Sequence, residues 1–259
     1  MAQFGAEHVA MLVVIALAAV ACTLVARRIR DEVLIDRVLR GSGWAMLVLT
    51  ILWTAWGLVP AHWTIEQSLP FHFSDALRVV TAVALITRAG WAVAVLYFWG
   101  LTLNLQSVLT PDLQYLQFPL LEFAMYWILH AVVLIAPIVL TWGLGYRPTW
   151  RGYAAAFGAT VLWAAIAFIV NLITGANYSY VSGGPAGASL LDVLGPWPLY
   201  LASAALLMAG VWALMTWPWE TSAQRARSRI ADPAGLIRRA DQRVGGSPQV
   251  EPAAGGAVG

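Results

Sequence analysis

The sequence predicts an all-α, polytopic membrane bundle of seven transmembrane helices, with the N-terminus outside and the C-terminus cytoplasmic. Three observations carry this expectation. Of the 259 residues, 60% are hydrophobic and 11% are charged, against about 25% charged in a soluble domain. Seven apolar stretches occur, each near the ~20 residues that cross a bilayer as a helix. The 15 basic residues are all arginine, and their placement selects one topology. With seven spans every arginine except Arg78 falls on one side of the membrane or in the tail. With six, Arg147, Arg151 and the tail arginines would fall opposite the first loop, against the positive-inside rule.

The first span, 9–26, is preceded by Glu7 and His8 and followed by Arg27, Arg28 and Arg30. It reads as a reverse anchor rather than a cleaved signal peptide, which needs a basic n-region. Cys22, near its inner end, is the single cysteine. It excludes an internal disulfide and multi-cysteine metal motifs, and it reads as apolar packing. Span two covers 44–61. Span three, 69–87, opens on Leu69-Pro70-Phe71-His72-Phe73-Ser74-Asp75 and carries Arg78. Polar and ionisable groups are costly in hydrocarbon and mark a pathway or a site. Pro70 suits the first turn of that helix. Only Arg88 and Ala89 separate it from span four, 90–108, which ends in Asn104, Gln106, Thr110, Pro111 and Asp112.

Span five, 119–143, carries Glu122, Tyr126 and His130 at four-residue steps, on one helical face. Span six, 152–173, ends in Asn171 and passes into Asn177-Tyr178. Span seven, 196–217, opens on Gly195-Pro196-Trp197-Pro198-Leu199-Tyr200. Tryptophans near span ends fit interfacial belts. The composition then changes, dividing a transmembrane domain, 1–219, from an Arg-rich tail, 220–259, expected to be disordered and cytoplasmic. Its arginines read as a topology signal, with contact to anionic headgroups as the alternative.

All four histidines fall in the outer half or near the midplane. Counted at ~1.5 Å per residue through a core of ~30 Å, Ser74 and Asn104 lie roughly 9 Å below the outer surface. Arg78 lies near the midplane, and His130 roughly 17 Å deep. Ser74, Asp75, Arg78, Asn104 and His130 are therefore expected to converge in one layer. His8 and His62 are placed at the interface; Glu122, near the surface, reads as solvated or, like Asp75, as an acid that could orient the base.

Across the chain, Phe4-Gly5-Ala6-Glu7-His8, Leu69-Pro70-Phe71-His72-Phe73-Ser74, Leu109-Thr110-Pro111-Asp112, His130, Asn177-Tyr178 and Gly195-Pro196-Trp197-Pro198-Leu199-Tyr200 occur in order. This ordered set resembles the YwaF-like bacterial integral membrane family, related to the eukaryotic transmembrane-protein-164 acyltransferases. The resemblance implies chemistry on fatty acyl groups of lipids through a cysteine-centred site. A cysteine commonly follows Leu-Pro-x-His-x in that pattern; this chain has Ser74, which needs a general base because its hydroxyl is hardly ionised.

The expected catalytic set is thus Ser74, His130 and His72. His72 and Ser74 are two apart and diverge on a helix, so His130 is the better base. Asp75, Arg78, Asn104, Asn171, Asn177, Tyr178 and Tyr200 are the expected substrate-binding residues. Asn104 or Asn177 could donate to an oxyanion, and Arg78 could bind phosphate or carboxylate. The structural alternatives are Ser74 as a helix cap, His130 as a buried hydrogen-bond partner, and Arg78 as the mate of Asp75. No HExxH or similar spacing occurs, so neither a metal nor a cofactor is expected. The functional reading is a lipid acyltransferase or acyl hydrolase with an outward-facing intramembrane site. The alternative is a non-catalytic transporter or a lipid- or solute-binding protein. The expected location is the cell (plasma) membrane, multi-pass, with membrane lipids as partners and no nucleic acid.

Overall fold

The helices of the chain are laid out in a computed structural model that describes residues 4–111, 118–185, 187 and 189–220. Asp112 and the expected tail beyond Glu220 lie outside the described residues. The described residues are helices and loops, without strands: α1 (Ala6–Arg28), α2 (Glu32–Gly57), α3 (Phe73–Thr87), α4 (Gly90–Leu101), α5 (Leu103–Leu109), α6 (Pro119–Ile138), α7 (Trp150–Thr174) and α8 (Leu199–Thr216). A π-helical turn, Val139–Gly143, prolongs α6. Taking α4 with α5 and α6 with its π turn, six helices among the described residues are long and apolar enough to cross a membrane.

The stretch expected to span from residue 69 is helical only over Phe73–Thr87. At 15 residues it is roughly 22 Å long, short of a ~30 Å core. Chemistry sets the start: Asp75 Oδ2 accepts from the His72 backbone N–H at 2.9 Å, fixing His72 as the N-cap. Pro70 accordingly lies in the loop before the helix rather than in its first turn. At the other end Arg88 adopts a left-handed conformation (φ 54°) that turns the chain into α4. Its guanidinium pairs with Asp36 of α2.

Helix α4 is the axis of the bundle. Every residue from Ala92 to Gly100 is buried, as its all-round apolar sequence requires. Helices α3, α6 and α7 pack against it, and α2 packs along α3. Helix α1 lies against α6 and the π turn and buries only His8, Ile15, Ala19, Thr23 and Ala26. Cys22 is exposed on its outer side, not packed as expected. The Arg27 Nε–H donates to Trp142 O at 2.7 Å, closing the same end of the bundle as Arg88.

Two glycines set the spacing. A Cβ on Gly43 would meet Ile86 Cγ1 at 2.7 Å and Ala82 O at 3.0 Å, so α2 and α3 touch backbone to backbone. A Cβ on Gly100 would meet Val133 O at 2.9 Å. Pro137, inside α6, has no N–H to give the carbonyl four residues earlier. The Val133 carbonyl freed in this way is the one that Gly100 lies against. The π turn follows directly, as such bulges do where the regular ladder is broken.

Helix α4 breaks from α5 at Thr102 (φ −124°, ψ −71°). The Thr102 hydroxyl donates to Phe98 O at 2.5 Å and accepts from Trp212 Nε1–H of α8 at 3.1 Å. Beside this break, residues of α3, α5, α6, α7 and α8 surround an open space.

Candidate functional site

That space is a cavity of about 1440 Å³, reached from the end of the bundle where α2 finishes and α3 begins. Two loops frame its mouth. Residues 64–72 and 177–183 are stitched together: Tyr178 O–H donates to Ile65 O and accepts from Leu69 N–H, and Ser179 Oγ–H donates to Phe71 O at 2.8 Å. Ser179 and Tyr180 both hold positive φ (58° and 53°), costly for non-glycine residues. The Tyr200 hydroxyl donates to Tyr180 O, and the Trp197 indole N–H donates to Val181 O at 3.1 Å. Burial raises the Tyr178 phenol above its ordinary value, against a smaller lowering by the Leu69 N–H.

His72 belongs to this framework. Its Nδ1 accepts from Ser179 N–H at 3.2 Å, so the proton sits on Nε2, which faces Glu66 O at 3.3 Å. The ring lies edge-on to Tyr178, centroids 5.1 Å apart. With both nitrogens engaged, His72 positions the mouth and has no basic lone pair to offer.

Asn171 and Asn177 are equally committed. Asn171 Nδ2 donates to Tyr178 O and Ser182 Oγ while its Oδ1 accepts from Tyr178 N–H. Asn177 Nδ2 donates to Gly183 O and Gly184 O while its Oδ1 accepts from Ser182 N–H. Both build the loop. Asn177 and Tyr200 also line the cavity; Asn171 and Tyr178 lie behind its wall.

Deeper, a narrow niche between α3, α5 and α6 is bordered by Ser74, Arg78, Asn104, Leu129, His130 and Val133. Ser74, Arg78 and His130 also line the main cavity. Asp75 Oδ1 pairs with Arg78 Nη2 one helical turn on, which uses both carboxylate oxygens. Arg78 keeps a buried Nε–H without a partner among the described residues.

Asn104 and His130 bond twice. Asn104 Nδ2 donates to the His130 backbone oxygen at 3.0 Å, which orients the amide. Its Oδ1 then lies 2.6 Å from His130 Nδ1. An amide oxygen only accepts, so His130 carries its proton on Nδ1. Nε2 is left as the acceptor, which is the form a general base needs. Tyr126, one turn earlier, lies against the imidazole with ring centroids 4.3 Å apart. Asn104 is therefore the holder of His130 rather than an amide turned to a substrate oxygen.

Two further placements differ from the sequence expectation. His8 is fully buried, not interfacial: Nδ1 accepts from Phe4 N–H at 2.8 Å and Nε2–H donates to Val108 O at 2.9 Å. It ties α1 to α5, and Trp127 lies 5.8 Å away. Glu122 is buried against the cavity, where Oε1 accepts from Phe118 N–H at 3.2 Å. The mark of Glu122 was its spacing with His130, four residues twice over, which puts it on the cavity face. His62 is a mouth residue, stacked on Trp56 at 4.2 Å. Among the described residues no group of three or more His, Cys, Asp or Glu side chains lies together.

The family model described as the TMEM164 family matches residues 3–216, which takes in every helix and both mouth loops. No curated protein and no solved structure matches the chain.

Proposed function

The chain belongs to the TMEM164 family of multi-pass membrane proteins, and from that premise we propose that it transfers or hydrolyses fatty acyl groups of membrane lipids at the Ser74–His130 niche. The observation that carries the reading is the tautomer of His130. Asn104 holds the proton on Nδ1 and leaves the Nε2 lone pair unprotonated, in a niche that Ser74 and Arg78 also border.

The chemistry balances with these residues alone. His130 Nε2 takes the Ser74 hydroxyl proton as Oγ bonds to the ester carbonyl carbon. The carbonyl electron pair moves to oxygen, and the unpartnered Arg78 N–H stabilises that charge. The tetrahedral species collapses, the C–O bond to the glycerol oxygen breaks, and His130 returns the proton to it. An acyl-serine results. A lipid hydroxyl repeats the sequence in reverse to complete transfer; water completes hydrolysis. Arg78 replaces Asn104 and Asn177 as the oxyanion donor, because the structure of the bundle and loop already employs both amides.

The same reading covers topology. Helix α3 runs antiparallel between α2 and α4 and counts as the seventh crossing, its missing length made up by the polar mouth loop. Arginine placement then puts the N-terminus outside, the C-terminus in the cytoplasm, and the cavity mouth on the outer side of the plasma membrane. The tail beyond Glu220 is read as a disordered cytoplasmic segment.

Purified protein in liposomes of defined phospholipid tests the chemistry. Ser74→Ala and His130→Ala are each expected to lower acyl turnover about 10²–10⁴-fold, the range a positioned acid–base group contributes. Wild-type protein that retains lipid but never transforms it would favour a non-catalytic lipid-binding protein. That alternative draws on the size of the cavity alone.

A further inference from the structure

The cavity has two unlike walls. Its polar wall comes from α3, α5 and α6. The wall from α7 and α8 is apolar: Val161, Ala164 and Phe168 of α7 and Ala204, Leu207 and Met208 of α8 line it. The two alanines leave the space open where larger side chains would close it. The volume, about 1440 Å³, exceeds the ~300–1,000 Å³ of sites for drug-sized ligands.

Three side chains of this wall keep much of their surface exposed. Val161 is 57%, Phe168 39% and Leu207 43% exposed, although each lines the cavity. Both helices are long and apolar enough to cross a membrane, so the outward faces of these side chains meet hydrocarbon.

The cavity also has a floor. Phe157 and Trp212 line it where α7 and α8 meet α4. Trp212 is fully buried, held by Thr102 and packed against Phe98 with ring centroids 5.0 Å apart. Phe157 closes the other side at 6.2 Å. The Trp212 indole bonds Thr102, two residues before Asn104, and its ring packs on Phe98 one helical turn, about 6 Å, further on. Apolar space thus continues past the polar groups and ends on a rigid indole.

We propose that α7 and α8 form an acyl-chain channel entered sideways from the bilayer, and that the Trp212–Phe157 floor sets the length of chain it accepts. The occupant is the hydrocarbon chain of a membrane lipid, tail inward, with its ester at the niche. This deepens the acyl reading above and rests on it for the identity of the ligand. The fit of the chain is independent of whether Ser74 reacts.

The test separates the two. Full-length protein carrying Ser74→Ala is loaded from liposomes of mixed phosphatidylcholines with acyl chains of increasing length, and the retained lipids are identified by mass spectrometry. Adding Ala204→Phe, which fills the channel above the floor, is expected to shift retention to shorter chains. The preference ratio should change about tenfold or more, the scale set by single methylenes in an apolar pocket. Ala164→Phe on the facing helix carries the same expectation, and thermal unfolding checks that each variant folds. Folded variants with the chain-length profile of their parent overturn the proposal, as does a parent that retains no acyl lipid. In the reactive protein, turnover with an unchanged profile in Ala204→Phe would sink the channel and leave the acyl chemistry standing. A shifted retention profile without any turnover would do the reverse.

Discussion

At the scale of single residues, the chemistry open to the site depends on which polar atoms the fold leaves unused. His72 and His130 look alike in the sequence, each a histidine near a helix face with polar neighbours. Their tautomers separate them: His72 has Nδ1 occupied by Ser179 N–H, whereas His130 has Nδ1 protonated against Asn104 and Nε2 available. His72→Ala should therefore cost stability at the mouth more than it costs chemistry, read as a lowered unfolding temperature with turnover per folded molecule within about tenfold of wild type. Asn104→Leu keeps the bulk of Asn104 but frees the imidazole to flip and change tautomer. Turnover should fall about 10–100-fold, as it does elsewhere when an orienting partner of a functional histidine is lost. Depth counting could bring Ser74, Arg78, Asn104 and His130 into one layer, because helical rise is regular. It could not foresee that Asn171, Asn177, Tyr178 and Tyr200 are taken up by loop carbonyls and N–H groups. Those partners come from turns with no periodicity to read. His8 was hidden for a related reason: its burial depends on α1 meeting α5 and Trp127, a contact between elements far apart in the chain.

At the scale of elements, the path of α4 decides where the site lies. Its apolar sequence makes it the axis, and the break at Thr102 turns its polar continuation, α5, toward the cavity. The break carries no proline or glycine of its own and was not legible; the non-helical conformation of Thr102 is accompanied by hydrogen bonds to Phe98 O and from the Trp212 indole. The start of α3 was partly legible. Polar residues marked its beginning, but the capping contact of Asp75 places the N-cap at His72, three residues beyond Leu69. Close packing of α4 on α6 depends on Gly100 meeting the carbonyl that Pro137 frees. Gly100→Ala should destabilise the folded protein by about 1–3 kcal/mol through overpacking, measured by thermal or denaturant unfolding in detergent. Gly158, with open space around its Cα, is the matched control: Gly158→Ala should leave stability unchanged or raise it by up to about 1 kcal/mol through helix propensity.

At the scale of the whole molecule, charge and cavity point the same way. Arg27 and Arg88 close one end of the bundle through Trp142 O and Asp36, while the cavity opens at the other among His62, His72 and Glu66. In a Cys22→Ala background, a membrane-impermeant thiol reagent applied to intact cells should label Ser189→Cys, beside the mouth, and spare Arg40→Cys, near the closed end. The opposite pattern would invert the topology. The central claim is that one serine, activated by His130, carries the acyl chemistry. It is tested most directly by acyl turnover in liposomes with Ser74→Cys in the Cys22→Ala background, before and after thiol alkylation. Thiols are intrinsically the stronger nucleophiles, so Ser74→Cys should turn over lipid, lose that activity on alkylation, and differ in this from the insensitive Cys22→Ala parent. Wild-type turnover in Ser74→Ala, or an alkylated Ser74→Cys protein that is as active as before, would contradict the account.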